Sequence, residues 1–170
     1  MSDTPFRAGF VNIIGRPNAG KSTLMNALVG ERMSIITHKP QTTRHRIIGI
    51  LTGDNFQIVF SDTPGYVKSP SYKMHTAMNR FVEGTVEDAD LMLFVFDLTE
   101  ELEDDNPVIE VLKKAEAPVL LILNKKDLVA KQRAEDVRGW WKKRIKIADS
   151  MAVSALKGNE AGKKKKKIVA

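Results

Sequence analysis

The sequence predicts an α/β fold with a doubly wound, mostly parallel sheet, and two observations lead to that prediction. Short apolar runs of strand length recur along the chain, and most are followed by turn residues and then by a helical pattern. Strands and helices that alternate in this way are typical of a parallel sheet covered by helices. The 170 residues are also about the size of one domain, so we expect a single domain over residues 1–170.

Six apolar runs are the candidate strands. They lie at residues 10–14, 47–51, 57–60, 91–96, 119–123 and 151–153. The second and third runs are separated only by residues 52–55, a turn-rich spacer that is too short for a helical crossover. We therefore expect this pair to form an antiparallel hairpin within an otherwise parallel sheet.

Four segments have helical spacing of apolar residues. They lie at residues 21–30, 72–88, 106–115 and 134–144. The third begins with Asn106 and Pro107, a cap followed by a residue that suits the first turn of a helix. In the fourth, Trp140 and Trp141 fit packing in the core and at the helix edge better than a stacking platform for nucleic-acid bases.

The composition excludes several kinds of site. The chain has no cysteine, which excludes disulfides, thiolate metal sites and a cysteine nucleophile, and which fits a cytoplasmic protein. Its apolar runs are far shorter than the roughly 18 residues of a membrane span. The net charge is +6, but five lysines form the run 163–167. The rest of the chain is therefore nearly neutral, and the basic charge that would suggest nucleic-acid binding is local.

The first motif follows the first predicted strand and reads GRPNAGKS over residues 15–22. Between a strand and a helix, G-x-x-x-x-G-K-S is the pattern of a loop that binds nucleotide phosphates through its backbone N–H groups. The helix adds the positive end of its dipole. Lys21 is expected to reach the β- and γ-phosphates, and the Ser22 hydroxyl is expected to ligate Mg²⁺. The nucleotide-binding residues predicted in this region are Gly15, Asn18, Ala19, Gly20, Lys21, Ser22 and Thr23.

The second motif, Asp62-Thr63-Pro64-Gly65, directly follows the third predicted strand. The Asp62 carboxylate can hold Mg²⁺ through a water, and the Gly65 N–H is placed where a γ-phosphate would lie. Loss of that phosphate would release the loop, which makes a switch. Both residues are therefore predicted to belong to the nucleotide site.

A polar loop at residues 37–46 separates the first helix from the hairpin. Either Thr43 or Thr42 can supply a second hydroxyl to Mg²⁺, and we favour Thr43. The predicted metal ligands are then Ser22, Thr43 and Asp62, and the predicted catalytic residues are Lys21, Thr43 and Gly65.

The third motif, Asn124-Lys125-Lys126-Asp127, indicates which base is bound. Guanine presents a ring N1–H beside an exocyclic amino group, and the Asp127 carboxylate can accept from both. Adenine would present a lone pair to the same carboxylate, which makes an ATPase the least favoured interpretation. The Lys125 stem can lie against the base, and Asn124 can brace the loop. The last strand ends in Ser154-Ala155-Leu156, whose backbone N–H groups, chiefly that of Ala155, can donate to guanine O6.

Together, GRPNAGKS, QTTRHR, SDTPG, NKKD and SAL resemble the GTPase domain of the Era family of bacterial ribosome-assembly GTPases, over about residues 10–158. QTTRHR is the element that favours Era over other translation-factor-class GTPases. The resemblance implies a P-loop NTPase G domain, with three layers and a six-stranded sheet that has one antiparallel strand. It also implies GTP and GDP binding with Mg²⁺, slow hydrolysis, and a role in small ribosomal subunit assembly and 16S rRNA maturation.

The same resemblance implies further partners. They are ribosomal RNA, the small ribosomal subunit and a peripherally contacted membrane, and a monomer is expected. In potassium-stimulated relatives the residue that matches Asn18 ligates K⁺ beside the phosphates; Arg16 is the weaker alternative source of positive charge. Era-family proteins also carry a C-terminal KH domain that binds single-stranded RNA through a GXXG loop. This chain ends at Ala170 without that sequence, so we expect RNA to be bound through a longer parent protein and only weakly by this chain.

One residue leaves the hydrolytic activity open. Tyr66 follows the Asp62–Gly65 motif, where many switch GTPases have a Gln that orients the attacking water. A phenol does not easily replace it, so we expect slow intrinsic hydrolysis. The alternative is a nucleotide-dependent binding module of another Era-like GTPase that needs an external partner to hydrolyse.

Overall fold

The computed structural model describes residues 5–29, 33–34, 46–62 and 89–157 of the chain. Within them, seven strands form one sheet: β1 (Arg7–Ile14), β2 (Met33–Ser34), β3 (Arg46–Thr52), β4 (Phe56–Asp62), β5 (Leu91–Asp97), β6 (Val119–Asn124) and β7 (Asp149–Ala152). The helices in the same residues are α1 (Lys21–Val29), α2 (Val108–Lys113) and α3 (Lys131–Lys142), and Lys126–Leu128 forms a 3-10 turn.

The strand order across the sheet is β2-β3-β4-β1-β5-β6-β7. The pairs β1–β4, β1–β5, β5–β6 and β6–β7 are parallel. Strand β3 runs antiparallel to both of its neighbours, β2 and β4. The predicted fold, a mostly parallel sheet with one antiparallel strand, is therefore confirmed, as is the hairpin. The two-residue edge strand β2 was not predicted, because so short a strand has no apolar run of its own.

Helices cover both faces of the sheet. On one face, α1 packs through Leu24 and Met25 against strand residues that include Val11 and Ile13. On the other face, α2 and α3 pack against Ile14 and the alternate positions of β5 and β6. The predicted three-layer arrangement follows from these two separate cores.

Trp141 is fully buried in the second core, where its ring meets Phe94 edge to face at 4.7 Å between centroids. Trp140 is partly buried beside it, with the Arg144 guanidinium 3.6 Å from the ring centroid. The prediction that both tryptophans pack in and beside the core is confirmed.

Three of the four predicted helices are present with shifted ends. The α2 helix is shorter than predicted at both ends, although Asn106 does cap it: the Asn106 Oδ1 accepts a hydrogen bond from the Val108 N–H at 3.1 Å. The α3 helix begins at Lys131, earlier than predicted. The segment 72–88 lies outside the described residues. No helix in the described part of the chain is long and apolar enough to span a membrane.

Candidate nucleotide-binding site

The described parts of the predicted motifs meet at one edge of the sheet. Parallel strands β1, β4, β5, β6 and β7 all end at this edge, where ligands bind in open α/β sheets. The register places Asp62 beside Ile13, just before the phosphate loop, and places Asp97 beside Asn124. The strand order therefore brings together loops that are far apart in the sequence.

The loop after β1 has the form of a phosphate cradle. The Lys21 ammonium donates to the carbonyl oxygens of Gly15, at 2.9 Å, and Arg16, at 3.1 Å, so it lies across the loop. Helix α1 begins at Lys21, and the first N–H groups of a helix have no partner within that helix. An ammonium and a helix N-terminus at one loop make the arrangement suited to an anion.

Gly20 is required by its surroundings as well as by its backbone. Its φ is +95°, a conformation that residues other than glycine rarely adopt. An added Cβ would lie 2.2 Å from the Asn124 Nδ2. The phosphate loop therefore approaches the Asn124 side chain as closely as a residue without a side chain allows.

Asn124 connects three loops through one buried side chain. Its Nδ2 donates to the Ala19 carbonyl oxygen at 3.0 Å, and its Oδ1 accepts from the Ala155 N–H at 3.0 Å. The phosphate loop, the loop after β6 and the loop after β7 are thus joined by two hydrogen bonds. Because Ala155 donates to Asn124, any guanine O6 at this site has to share that N–H.

Lys125 makes a second connection to the phosphate loop. Its φ of 63° is left-handed, and its ammonium donates to the Asn18 carbonyl oxygen at 3.1 Å. The same ammonium is paired with the Asp97 carboxylate. Asn18 is also left-handed, with φ of 64°.

Asp97 is a residue of this site that the sequence analysis does not predict. Its carboxylate is buried, and its Oδ1 accepts from the N–H and the hydroxyl of Thr99, at 2.8 and 2.6 Å. Burial alone would raise its pKa, but the bonds from Lys125 and Thr99 outweigh burial and lower the pKa. A usable signal was present, since Asp97 directly ends an apolar strand, as Asp62 and Asn124 do.

Two neighbouring side chains hold the Asp127 carboxylate in place. The Ser154 hydroxyl donates to its Oδ1 at 2.7 Å, and the Lys157 ammonium is 3.7 Å from its Oδ2. The bond from Ser154 is the main reason that the pKa of Asp127 is lowered. Each oxygen keeps a further lone pair, so the carboxylate can still accept two hydrogen bonds from a base.

The Arg16 side chain forms ion pairs with two carboxylates of the segment after β5. Its guanidinium nitrogens lie 3.3 Å from the Glu100 carboxylate and 2.5 Å from that of Glu103. Burial raises the pKa of the Glu100 carboxyl, although the Arg16 charge opposes this shift. The start of the phosphate loop is therefore tied to the segment after β5.

The remaining predicted residues divide into two groups. Ser22 and Thr23 lie in the first turn of α1, with Ser22 exposed, Asp62 is the last residue of β4, and Leu156 is exposed. Thr43 and Gly65 lie outside the described residues, so their predicted roles stay predictions.

Comparison with known proteins identifies the family. Residues 10–125 match the family described as 50S ribosome-binding GTPase. The chain belongs to this family. It is 42% identical to GTPase Era of Clostridium beijerinckii over 154 residues, an alignment that covers 90% of this chain and 51% of that protein. It is 44% identical over 154 residues to GTPase Era of Syntrophus aciditrophicus, covering 90% of this chain and 50% of that one.

Solved structures agree with this assignment. Era in complex with MgGDPNP and nucleotides 1506–1542 of 16S ribosomal RNA has a TM-score of 0.76 and 35% identity, covering 96% of this chain and 56% of that one. Aquifex aeolicus Era bound to GDP·AlF4⁻ has a TM-score of 0.74 and 33% identity, covering 95% of this chain and 56% of that one. The predicted resemblance to Era is confirmed, and the chain spans about half the length of the curated relatives that it matches.

Proposed function

We propose that this chain binds GTP and GDP together with Mg²⁺ and slowly hydrolyses GTP, as the switch domain of an Era-like protein. One observation carries the proposal. The Asn124 side chain joins the phosphate loop to the loop that contains Ala155, so the phosphate cradle and the proposed base-binding residues form a single site. Family membership and the similarity to Era support the same activity.

The phosphate end of the nucleotide is assigned to β1, α1 and β4. The Lys21 ammonium, which lies against the carbonyl oxygens of Gly15 and Arg16, would bind phosphate oxygens, and the start of α1 would donate backbone N–H groups. Mg²⁺ prefers oxygen ligands. Ser22 is exposed in the first turn of α1, and Asp62 ends β4 beside Ile13 at the same edge of the sheet. These residues fit the ion, which supplies charge neutralisation at the phosphates when it is bound.

Guanine selection is assigned to Asp127. Ser154 holds one oxygen of this carboxylate, and the lowered pKa keeps it ionised at neutral pH. An ionised carboxylate accepts from the N1–H and the 2-amino group of guanine. It repels the N1 lone pair of adenine, which gives GTP its advantage over ATP.

Slow hydrolysis is supported by the sequence, because Tyr66 replaces the usual Gln. Asn18 is proposed to ligate K⁺ beside the phosphates, where positive charge stabilises the transition state. The contacts of Arg16 with Glu100 and Glu103 support this choice, because they hold the alternative cation in ion pairs. The competing candidate, a binding module that hydrolyses only with an external partner, is supported by the same Tyr66.

The cellular role rests on the similarity to Era. We propose that the protein acts in small ribosomal subunit assembly and 16S rRNA maturation, and one Era structure in complex with 16S rRNA supports this. Thr43 as the second Mg²⁺ ligand, Gly65 at the γ-phosphate, a monomer, a cytoplasmic location and a peripheral membrane contact are proposed from the sequence and the resemblance alone.

The test is a calorimetric comparison of Asp127→Asn with the wild-type chain. Xanthine has an oxygen where guanine has its 2-amino group, so an amide pairs where a carboxylate cannot. We expect GDP affinity to fall by about tenfold or more, since a hydrogen bond to a charged group is worth about 1.5–3 kcal/mol, and we expect xanthosine diphosphate to bind more tightly.

Asp54→Asn is the matched control. Asp54 is exposed in the turn between β3 and β4, at the opposite edge of the sheet, and the same substitution there leaves GDP affinity unchanged. Equal GDP affinity for Asp127→Asn and wild type would refute the assignment. Phosphate release by the wild-type chain alone, measured over several turnovers, separates a slow GTPase from a module that needs a partner.

A further inference from the structure

A partly buried ion pair links the end of β5 to the phosphate loop. The Asp97 carboxylate pairs with the Lys125 ammonium, and that ammonium donates to the Asn18 carbonyl oxygen at 3.1 Å. Asp97 has 7% of its side chain exposed, against 32% for Lys125. An ammonium in such a partly buried position is stabilised by an opposite charge, which Asp97 supplies.

The two oxygens of Asp97 have separate tasks. Oδ1 accepts both hydrogen bonds from Thr99, which form a local turn after β5. Oδ2 faces the Lys125 ammonium. An amide oxygen can still accept the bonds from Thr99, although more weakly than a carboxylate does. The contact with Lys125 depends on the negative charge itself.

Lys125 has a second constraint in its backbone. Its φ is 63°, a left-handed conformation that is unfavourable for a residue with a side chain. It lies between Asn124 and Asp127, so the direction of its side chain fixes how the loop after β6 meets the phosphate loop. A residue in this conformation needs contacts that hold it, and the described contacts of its ammonium are with Asp97 and Asn18.

We propose that Asp97 is a positioning residue for nucleotide binding, which acts through Lys125. Its charge holds the Lys125 ammonium against the phosphate loop, and the lysine stem is thereby kept extended beside the base. This inference rests on the proposed function of the site. It assigns no contact between Asp97 and the nucleotide itself.

The chemistry of the Asp97–Lys125 ion pair predicts that losing it weakens nucleotide binding by the same factor for different purine bases. The lysine stem contacts a purine by packing, whereas Asp127 reads the 2-amino group. Loss of the Asp97 charge should therefore weaken GDP and inosine diphosphate by the same factor, because inosine differs from guanosine only in lacking that amino group. A collapse of the whole loop would instead displace Asp127 and reduce the preference for GDP.

The test is a double-mutant cycle measured by calorimetry on the intact chain, with GDP and inosine diphosphate as probes. Asp97→Asn keeps the acceptor for Thr99 and removes the charge, and Lys125→Met keeps an apolar stem and removes the ammonium. We expect Asp97→Asn to raise both dissociation constants about tenfold with their ratio unchanged. In the Lys125→Met background, Asp97→Asn should change them by less than about twofold.

Two further variants complete the experiment. Glu110→Gln breaks an exposed ion pair with Lys113 on α2 and should leave both affinities unchanged. Thr99→Val removes only one of the two bonds to Oδ1, so it should weaken GDP about two- to threefold, and only when Lys125 is present. This milder variant decides the question if Asp97→Asn does not fold.

The possible outcomes are distinct. Failure of the wild-type chain to bind GDP refutes the proposed function. Tight binding by the wild type and by Asp97→Asn overturns the positioning role alone. If Asp97→Asn weakens binding by the same factor with and without the Lys125→Met substitution, Asp97 acts independently of Lys125 and the proposal is wrong. A reduced preference for GDP over inosine diphosphate assigns Asp97 to loop folding and also overturns the proposal.

Discussion

Substituting Gly20 by alanine would test the contact between the phosphate loop and Asn124. The backbone φ of +95° is unfavourable for alanine, and the new Cβ would lie 2.2 Å from the Asn124 Nδ2. The strained conformation costs about 1–3 kcal/mol. Displacing Asn124 breaks a buried hydrogen bond, and a buried group left without a partner costs about 1–3 kcal/mol more. We therefore expect the free energy of unfolding to fall by roughly 2–6 kcal/mol.

The assay is urea unfolding of the nucleotide-free chain, followed by the fluorescence of the buried Trp141. Gly139→Ala is the matched control, because Gly139 lies inside α3 and an added Cβ meets no atom within 4 Å. Alanine is the better helix former, so this control should stabilise the chain by about 0.5–1 kcal/mol. If Gly20→Ala costs less than about 1 kcal/mol, the contact with Asn124 does not constrain the loop.

Three other predictions concern cations, acid and RNA. GTP turnover should be faster in K⁺ than in Na⁺ at equal ionic strength, and Asn18→Ala should remove the difference while GDP still binds; equal rates in the two salts would rule out the cation site. Because the pKa of Asp97 is lowered in the folded chain, its contribution to stability is present above its unfolded pKa of about 3.9 and is lost as the pH falls through the lower, folded pKa. The stability difference between wild type and Asp97→Asn should therefore shrink below about pH 4 in acid titrations, and a constant difference would contradict this. Binding of this chain to 16S rRNA fragments should be weak and should decrease steeply with salt, and tight, salt-resistant binding in a filter assay would refute that expectation.

Most of the fold could be predicted from the sequence because its signals are local. Apolar runs mark the strands, and residues 52–55 are too few for a crossover, which fixes the hairpin. Helix ends were less accurate. The α2 helix starts at Val108, whose N–H donates to the Asn106 side chain, so the first two residues of the predicted helix precede it.

The contacts within the site could not be predicted, because they depend on strand order. Asn124 and Ala19 are 105 residues apart, and their contact arises only once β1, β5 and β6 are neighbours in the sheet. Asp97 was missed for a related reason. Its position at the end of an apolar strand marks it as a candidate, but its partner Lys125 is placed beside it only by the pairing of β5 with β6.

The residues proposed for base recognition and those proposed for phosphate binding are held by the same side chains, those of Asn124 and Lys125. Asn124 bonds to the phosphate loop on one side and to the loop after β7 on the other, and Lys125 adds a second bond to the phosphate loop. Asp127, which we propose reads the base, is held by Ser154 from that same loop after β7. A displacement of the phosphate loop therefore strains the contacts that orient Asp127, and the reverse also holds. Guanine specificity in such a site is not a property of Asp127 alone, because the carboxylate can select a base only while the phosphate loop holds the other end of the nucleotide at a fixed distance.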